Sequence, residues 1–269
     1  MLIWVCAMHC EAKPVIDYYR LKKSYDDNAY DLYRGADMIC IVSGPGKLAS
    51  AAATAWIAAY EQTAGSLAWI NLGIAGAADH DIGSLFLLHQ IIDADSDQRF
   101  YPVMTEKPAI IGTTALCLSQ PSTEYHEAYL FDMESSGFMQ SALRFSSAEL
   151  VRCIKVISDN RQSQTGRNRQ AVSDLIAQHL AAIDAQAQTL IELNRQLLDR
   201  EITADTWKQF LALAHFSQTE KNRLRVLLRY LLNRRLQSDE LLNKLGEQSS
   251  ATAILQSLEA MSHQDSERL

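Results

Sequence analysis

Short apolar runs alternate with Ala-rich or polar segments over the first 160 residues of the chain. Runs of this kind, rich in Ile, Val, Leu and Cys and closed by Gly or polar residues, predict buried β-strands. The five runs are LIWVCAM from Leu2, MICIVSG from Met38, AWINLGIAG from Ala68, SLFLLHQIID from Ser84 and VRCIKVIS from Val151. Because these strands are almost continuously apolar, they predict an α/β protein with a layered central sheet and flanking helices on both faces.

The segment between the second and third runs predicts the first long helix. Residues 46–62 are rich in Ala and repeat their apolar positions with a period close to that of an α-helix. Gly44 and Gly46, in the sequence SGPGK, precede this helix and predict a tight turn into it. SGPGK lacks the spacing of the phosphate-binding GxxxxGK motif, so the turn is not interpreted as a nucleotide site.

The pattern changes at about residue 161, beyond which no strand pattern follows. Residues 168–198 are predicted to form one long amphipathic helix, with Ile176, Ile183, Leu190 and Leu197 along one stripe. Four further helices are predicted to begin near Thr203, Ser217, Ser238 and Ser250, whose side chains are suited to N-caps. We therefore expect an α/β domain over residues 1–198, with 168–198 as its last helix, and an all-α C-terminal extension over residues 199–269.

The composition limits the class of protein without naming a function. The 48% hydrophobic and 21% charged residues are typical of globular proteins, and the net charge of −7 argues against a general nucleic-acid binder. No apolar run reaches the roughly 18 residues of a membrane span, and the first ten residues lack the cationic segment of a signal peptide. The five Cys lie mostly in apolar runs without metal-ligand spacing, so we expect reduced core thiols, a cytoplasmic location and no metal.

A basic segment occurs in the C-terminal extension. Residues 221–235 read KNRLRVLLRYLLNRR and contain no acid. Leu224, Leu227, Leu231 and Leu232 lie opposite the cations, which is typical of a solvated amphipathic helix. A nucleic-acid or acidic partner at this segment is the alternative interpretation.

Three acids stand where a predicted element begins or ends. Glu11 follows the first apolar run, Asp159 closes the last one, and Glu134 opens a short helix in the sequence DMESSGF. Taken singly, each has an ordinary explanation, such as a solvated charge, a first-turn acid or a helix cap. Together they are typical of glycosidic-bond cleavage, which needs one carboxylic acid for the leaving group and one carboxylate for water. In an open α/β sheet such groups gather at the carboxyl ends of the strands.

Six motifs occur in the order AMHCEAKPV, VSGPGKLASAAA, INLGIAGAAD, DIGSLFLL, FDMESSGF and KVISDN. In this order the chain resembles the nucleoside phosphorylase superfamily. Within that superfamily it is most similar to the hydrolytic methylthioadenosine/S-adenosylhomocysteine nucleosidases. The resemblance covers about residues 1–160 and implies a nucleoside phosphorylase-like fold that binds a purine nucleoside without cofactor or metal. It also implies a homodimer.

The resemblance assigns a role to most candidate residues. Glu11 matches the glutamate that activates water. Met133 matches the methionine that lies against the ribose, and Glu134 matches the glutamate that holds its 2′- and 3′-hydroxyls. Asp159 matches the aspartate that protonates the purine N7, with Ser158 orienting it. Gly73 and Gly76 match the glycine turn beside the ribose.

Three positions depart from the patterns of the superfamily. Asn71 stands where its phosphorylases typically have an arginine that holds phosphate, and Ile74 stands where a serine is usual. Lys155, four residues before Asp159, replaces the usual arginine. Since a phosphate dianion needs clustered or bidentate cation contacts, these departures favour water over phosphate as the nucleophile. Asn71 and Lys155 remain candidate substrate-binding positions.

Three hypotheses about function follow. The first is hydrolysis of the N-glycosidic bond of a 5′-substituted adenosine, with release of adenine. The second is a phosphate-dependent purine nucleoside phosphorylase on the same fold. The third is a non-catalytic nucleoside-binding protein whose helical extension is its interaction surface. Tyr125 and Phe138 are candidates either for the base or 5′ pocket or for ordinary packing.

Overall fold

The computed structural model describes most of the chain. The described residues are 1–25, 29–61, 67–105, 109–122, 124–125, 128–163, 168–198, 202–233, 236–246, 248 and 250–266. The chain divides into two compact units, Met1–Arg195 and Gln196–Leu269, which we call unit 1 and unit 2.

Unit 1 is built around a ten-stranded mixed sheet. Its strands are β1 Leu2–Cys6, β2 Lys22–Lys23, β3 Asp31–Arg34, β4 Met38–Val42, β5 Ala68–Ala77, β6 Leu85–Asp93, β7 Arg99–Phe100, β8 Ile111–Cys117, β9 Leu130–Asp132 and β10 Val151–Asp159. The strand order is β10-β6-β8-β9-β5-β1-β4-β3-β2, and β10 also pairs with β5. The strands from β10 to β5 therefore form a closed circuit, which β1 to β4 extend on one side.

All five strands predicted from apolar runs are present, as β1, β4, β5, β6 and β10. The sequence missed the other five strands. Three of these, β2, β7 and β9, have only two or three residues, too few for a periodic pattern. The seven-residue β8 contains Gly112 and two Thr residues and is exposed at its start, so it lacks the apolar signal of a buried strand.

Among the described residues, five α-helices belong to unit 1, in part or whole. They are α1 His9–Tyr18, α2 Lys47–Glu61, α3 Ser135–Ala142, α4 Arg169–Ala177 and α5 Leu180–Leu198. The predicted turn before α2 is present, since Gly44 and Gly46 have φ angles of 83° and 99°. Such angles suit glycine because it has no Cβ.

The predicted single helix over 168–198 is wrong, because the chain breaks between α4 and α5 at Gln178 and His179. The Nε2 of His179 is hydrogen-bonded to the carbonyl oxygen of Gly83. The side chain of Gln178 reaches the same carbonyl at 3.5 Å. Gly83 lies in the turn between β5 and β6, so a contact distant in sequence accompanies the break.

Aliphatic and aromatic side chains of the sheet and of α2 and α3 form the core of unit 1. Trp69 and Phe138 are among its fully buried members. The indole N–H of Trp69 donates to the hydroxyl of Ser146 at 2.8 Å. Because Phe138 is fully buried in this core, it is a packing residue and not a pocket residue.

Unit 2 contains only helices among its described residues. They are α6 Ala204–Ala212, α7 Gln218–Asn233, α8 Ser238–Leu245 and α9 Ala251–Ser266. Phe210, Leu224, Leu228 and Leu258 are fully buried in its own apolar cluster. The hydroxyls of Thr203 and Ser250 accept N–H groups at the starts of α6 and α9. For α8 the predicted cap is wrong by one residue, because Gln237 precedes the helix and Ser238 is already inside it.

The basic segment 221–235 lies mainly on α7, and Arg234 and Arg235 lie outside the described residues. Arg223 is paired with Glu259 of α9. The guanidinium of Arg225 lies 4.8 Å from the ring centroid of Trp207. Two cations of the segment thus contact other residues of unit 2, which agrees with an amphipathic helix that packs on the apolar cluster of this unit.

Within the described residues, no helix is both long and apolar enough to cross a membrane. All five cysteines are buried free thiols.

Candidate active site

A cavity of about 250 Å³ opens at one end of the sheet of unit 1. Its wall comes from the start of α1, the turn before α2, the end of β5, the segment after β8, the start of α3 and the end of β10. Seven candidate residues line it, namely Glu11, Gly76, Tyr125, Met133, Glu134, Ser158 and Asp159. The structure thus brings together side chains that are up to 148 positions apart in the sequence, counted from Glu11 to Asp159.

Glu11 lies in the first turn of α1, so its predicted place at the end of the first strand is wrong. The strand ends earlier, at Cys6. The Oε2 of Glu11 accepts the N–H of Met8 at 2.8 Å, and its Oε1 accepts the N–H of Ile74 at 2.9 Å. Burial, with the nearby charge of Glu134, raises the pKa of Glu11 to about 7. A carboxyl group with such a pKa can exchange a proton near neutral pH.

Gly73 makes room for this glutamate. A Cβ at Gly73 would lie 2.8 Å from the Oε1 of Glu11 and 3.5 Å from the Nζ of Lys155. Gly73 is also the register partner of Lys155 on the neighbouring strand β10. A side chain at this position would therefore displace Glu11, which is 2% exposed and has little space to move.

Glu134 stands at the N-cap position of α3, as predicted. Its Oε1 accepts the N–H of Gly46 at 2.9 Å. Its Oε2 lies 3.9 Å from the Nζ of Lys155. Burial raises the pKa of Glu134 although Lys155 opposes the rise. Each oxygen of Glu134 thus has a protein group nearby, and the residue lines the cavity.

Lys155 does not line the cavity but lies beneath it, with 1% of its side chain exposed. Its Nζ is 2.9 Å from the Oδ2 of Asp132. Burial alone would lower the pKa of Lys155, but the carboxylates of Asp132 and Glu134 raise it above its ordinary value. Lys155 is therefore the charged partner of acids in the site.

Asp132 is a residue that the sequence analysis missed. It accepts the N–H and the hydroxyl of Ser135 at 2.9 Å and 2.7 Å, in addition to the ion pair with Lys155. Although burial opposes it, the charge of Lys155 holds the pKa of Asp132 below its ordinary value. The signal in the sequence was an acid three residues before a serine at a helix start, which is typical of capping.

Asp159 ends β10, as predicted. An irregularity in the strand pairing just before it sets the direction of its side chain. Ile157 is the register partner of Ala75 on β5, whereas Asp159 is the partner of Gly76. Ser158 is thus the extra residue of a β-bulge, a feature that re-aims side chains beside functional sites. The hydroxyl of Ser158 donates to the Oδ1 of Asp159. A Cβ at Gly76 would lie 2.9 Å from the Oδ2 of Asp159.

Asn71 and Ile74 mark where the chain departs from a phosphate site. Asn71 is buried in β5, and its Nδ2 donates to the carbonyl of Val5 at 3.0 Å. Neither Asn71 nor any Lys or Arg belongs to the described lining of the cavity. Ile74 lines the cavity and uses its backbone N–H to hold Glu11. Among the described residues, no group of three or more His, Cys, Asp or Glu could hold a metal ion.

A mixed sheet with flanking helices and a carboxylate-lined cavity at one end is the architecture of unit 1. Several solved structures that share its fold are nucleosidases. The 5′-methylthioadenosine/S-adenosylhomocysteine nucleosidase from S. pneumoniae is 16% identical, covers 68% of this chain and 96% of its own, and gives a TM-score of 0.53. The Arabidopsis thaliana 5′-methylthioadenosine nucleosidase is 17% identical over 71% and 94% of the two chains, at a TM-score of 0.53.

A third neighbour, the nucleosidase from Neisseria meningitidis in complex with methylthio-immucillin-A, is 17% identical over 68% and 97%, at a TM-score of 0.54. At such identity the likeness establishes the fold alone, and it confirms the nucleoside phosphorylase-like fold expected from the six motifs. No protein-family model matches the chain, and no curated protein matches it.

Proposed function

We propose that unit 1 hydrolyses the N-glycosidic bond of a purine nucleoside, with a 5′-substituted adenosine as substrate and adenine as the released base. The observation that carries the proposal is that Glu11 and Asp159 line one cavity. A carboxyl group with a pKa of about 7 and a second, separately held carboxyl group are the pair that glycosidic hydrolysis requires.

In the proposed reaction Asp159 protonates the N7 of the leaving purine. The hydroxyl of Ser158 holds Oδ1 of Asp159, so Oδ2, which accepts the hydroxyl of Tyr125 in this structure, is the oxygen proposed to serve the base. Glu11 takes a proton from water, which then attacks the anomeric carbon. Since the departing sugar becomes positively charged, the carboxylates around the cavity stabilise the transition state more than the ground state.

Glu134 and Met133 are proposed to bind the sugar. The carboxylate of Glu134 is fixed by the N–H of Gly46 and by the nearby charge of Lys155, so it is preorganised to accept two hydroxyl groups. Met133 is partly buried in the wall of the same cavity and offers an apolar contact to the ribose face. Because they have no side chain, Gly73 leaves room for Glu11 and Gly76 leaves room for Asp159.

Water is the proposed nucleophile because the described lining of the cavity contains no cation. A phosphate dianion brought next to Glu11, Asp132 and Glu134 would meet three acids and one lysine that is already paired. Asn71, at the position where phosphorylases typically have an arginine, is bonded to the backbone of β1 instead. These features speak against the phosphorylase alternative.

The proposed substrate class follows the neighbours in fold. A nucleosidase from Helicobacter pylori, which matches at a TM-score of 0.53, was solved with 5′-methylthioadenosine in its active site. An acid at the position of Asp159 also suits a 6-aminopurine, since a carboxyl group can donate to N7 and accept from the 6-amino group. The homodimer stays a prediction from the resemblance, and the cytoplasmic location stays a prediction from the cysteine usage.

The test is to incubate the purified chain with adenosine, 5′-methylthioadenosine and S-adenosylhomocysteine, with and without phosphate, and to measure free adenine and the sugar product. We expect adenine and a free sugar at equal rates in both buffers. Release that requires phosphate and yields a sugar 1-phosphate would replace hydrolysis by phosphorolysis. Tight binding of a nucleoside with no adenine released over hours would favour the non-catalytic alternative.

A further inference from the structure

Tyr125 is buried against the same acid that is proposed to protonate the base. Its side chain is 6% exposed and packs against Phe131, with the ring centroids 5.3 Å apart. Its phenol hydroxyl donates to the Oδ2 of Asp159. Its backbone carbonyl accepts the Nη2 of Arg161 at 2.9 Å, which anchors the main chain at this point.

Both oxygens of Asp159 are therefore engaged within the protein. Oδ1 accepts the hydroxyl of Ser158, which comes from the adjacent residue. Oδ2 accepts the hydroxyl of Tyr125, which comes from the segment after β8. While both hydroxyls remain in place, neither oxygen of Asp159 is available to a base.

There is also little space around the Oδ2 of Asp159. A Cβ built on Gly76 would lie 2.7 Å from the Cε1 of Tyr125, 2.8 Å from its hydroxyl and 2.9 Å from the Oδ2 of Asp159. On the β5 side, the tyrosine and the acid thus leave no room for even one further carbon atom. A planar base cannot enter between Gly76 and Asp159 while the phenol remains there.

We propose that Tyr125 competes with the leaving base for Asp159, so that the base reaches Oδ2 only after the tyrosine hydroxyl has left it. This inference rests on the proposed function and adds a residue that controls access to its acid. Because Arg161 holds the backbone, the movement is a rotation of the tyrosine side chain. Burial raises the pKa of the phenol, so Tyr125 keeps its proton and remains a donor at neutral pH.

The competition selects the chemical class of the base. A ligand that displaces the phenol must offer Asp159 a hydrogen bond in exchange, because an unpaired buried carboxylate is strongly unfavourable. A heteroaromatic ring with an amino group near a basic nitrogen can donate an amino N–H to the carboxyl group and accept the proton of that group at the ring nitrogen. A base without such groups would leave the carboxylate unpaired and would not displace the tyrosine.

The test compares Tyr125→Phe with the parent, using adenine as the probe and calorimetry to measure its dissociation constant. The variant keeps the ring against Phe131 and removes only the hydroxyl. We expect adenine to bind about tenfold more tightly, since one hydrogen bond to a charged acceptor no longer has to be broken. Tyr129→Phe is the matched control, because Tyr129 packs against the same small apolar cluster. It should leave the affinity unchanged.

A second probe separates competition from a general change in the cavity. Ribose carries the hydroxyls proposed for Glu134 but has no base, so its affinity, followed by NMR titration, should be equal in the parent and in Tyr125→Phe. Equal or weaker binding of adenine by Tyr125→Phe would overturn the inference. So would a parallel gain for ribose. Single-turnover hydrolysis of 5′-methylthioadenosine by the same proteins tests the proposed function separately, since the affinity result does not depend on turnover.

Discussion

The Nζ of Lys155 and the Oδ2 of Asp132 lie 2.9 Å apart, and both side chains are almost completely enclosed. Glu134 lies on the other side of the ammonium group, with its Oε2 at 3.9 Å. Glu11 also raises the pKa of Lys155, so three acids share one cation. The carboxyl groups near the cavity therefore outnumber the cations, which suits the positively charged sugar of the proposed reaction.

We expect Lys155→Met to destabilise the fold strongly. Removal of one partner of a buried ion pair typically costs about 3–5 kcal/mol, because the remaining charge is left unpaired. The free energy of unfolding can be measured by urea denaturation. Adding Asp132→Asn to Lys155→Met should recover part of the loss, since the orphaned carboxylate is then removed. Lys13→Met, at a side chain that is 47% exposed, serves as the control. Equal losses for Lys155→Met and Lys13→Met would contradict the shared-cation arrangement.

Asp159→Asn should preserve the fold and remove the proton for the leaving base. Loss of a general acid typically lowers the rate by about 10²–10⁴, and adenine release measures it. Asp79→Asn is a matched control, because Asp79 is 65% exposed and forms only a long contact with Arg161. A variant at Asp159 that is as active as the parent would remove this residue from the mechanism.

Substitutions of Glu11 and Glu134 should differ in their effects on ligand affinity and on turnover. Glu134→Gln is expected to weaken the affinity for a 5′-thioadenosine as well as the turnover, since Glu134 is proposed to hold the ribose hydroxyls in both the ground and the transition state. Glu11→Gln should leave the affinity nearly unchanged and lower single-turnover adenine release by orders of magnitude. Calorimetry gives the first quantity and rapid-quench kinetics the second. The same profile for both variants would refute the division of roles.

The stability of the fold should depend on the ionisation of Glu11. Its pKa is raised from 4.5 to about 7, so between these values the folded chain holds a proton that the unfolded chain has lost. Stability from this group is fully present below about pH 4.5 and is lost as the pH rises to about 7. The loss is at most about 3 kcal/mol, from the free-energy equivalent of the pKa difference.

Glu11→Gln removes this ionisation. The difference in unfolding free energy between parent and variant should therefore change in favour of the variant from pH 5 to pH 8, as followed by calorimetric melting. A difference that is independent of pH would show that Glu11 ionises normally in the folded chain.

Gly137→Ala should disturb the site through the packing of α3 against the start of α2. A Cβ at Gly137 would lie 2.1 Å from the carbonyl oxygen of Lys47, which is a backbone atom at the start of α2. The two helices would have to separate, and the N–H of Gly46 would withdraw from Glu134. We expect a loss of about 1–3 kcal/mol from overpacking, although alanine favours a helix by about 1 kcal/mol. Gly112→Ala is the control, because its nearest neighbour is the movable side chain of His89 at 3.0 Å.

Urea denaturation gives the stability of both glycine variants, and ligand titration gives their affinity. Gly137→Ala should lose both quantities and Gly112→Ala neither. Unchanged ligand affinity in Gly137→Ala would show that the contact of Gly46 with Glu134 does not depend on this helix packing.

The sequence predicted the elements that carry Glu134 and Asp159, because each stands at the end of a strongly apolar strand or at the start of a helix. It failed at Glu11, since the apolar run from Leu2 continues past the end of β1 and Met8 is not a recognised cap. The carboxylate of Glu11 itself accepts the N–H of Met8. The residue that caps this helix start is therefore Glu11, which stands three residues after the N-cap position Met8.

Tertiary contacts account for the features that local patterns could not predict. The break between α4 and α5 contains neither Gly nor Pro and accompanies hydrogen bonds to Gly83. Tyr125 and Asp159 are 34 residues apart, and nothing in either segment indicates that they meet. Likewise, the bulge at Ser158 depends on the pairing of β10 with β5.

The five buried thiols allow local unfolding of unit 1 to be measured. Cys6, Cys10, Cys40, Cys117 and Cys153 are buried, and all of them belong to unit 1. A thiol reagent should therefore modify the folded chain only as fast as strands and helices of unit 1 detach. Cys10, whose side chain also borders an open cavity beside His9 and Arg169, should react first. The four strand thiols should follow together, at a rate that measures how often the sheet unravels.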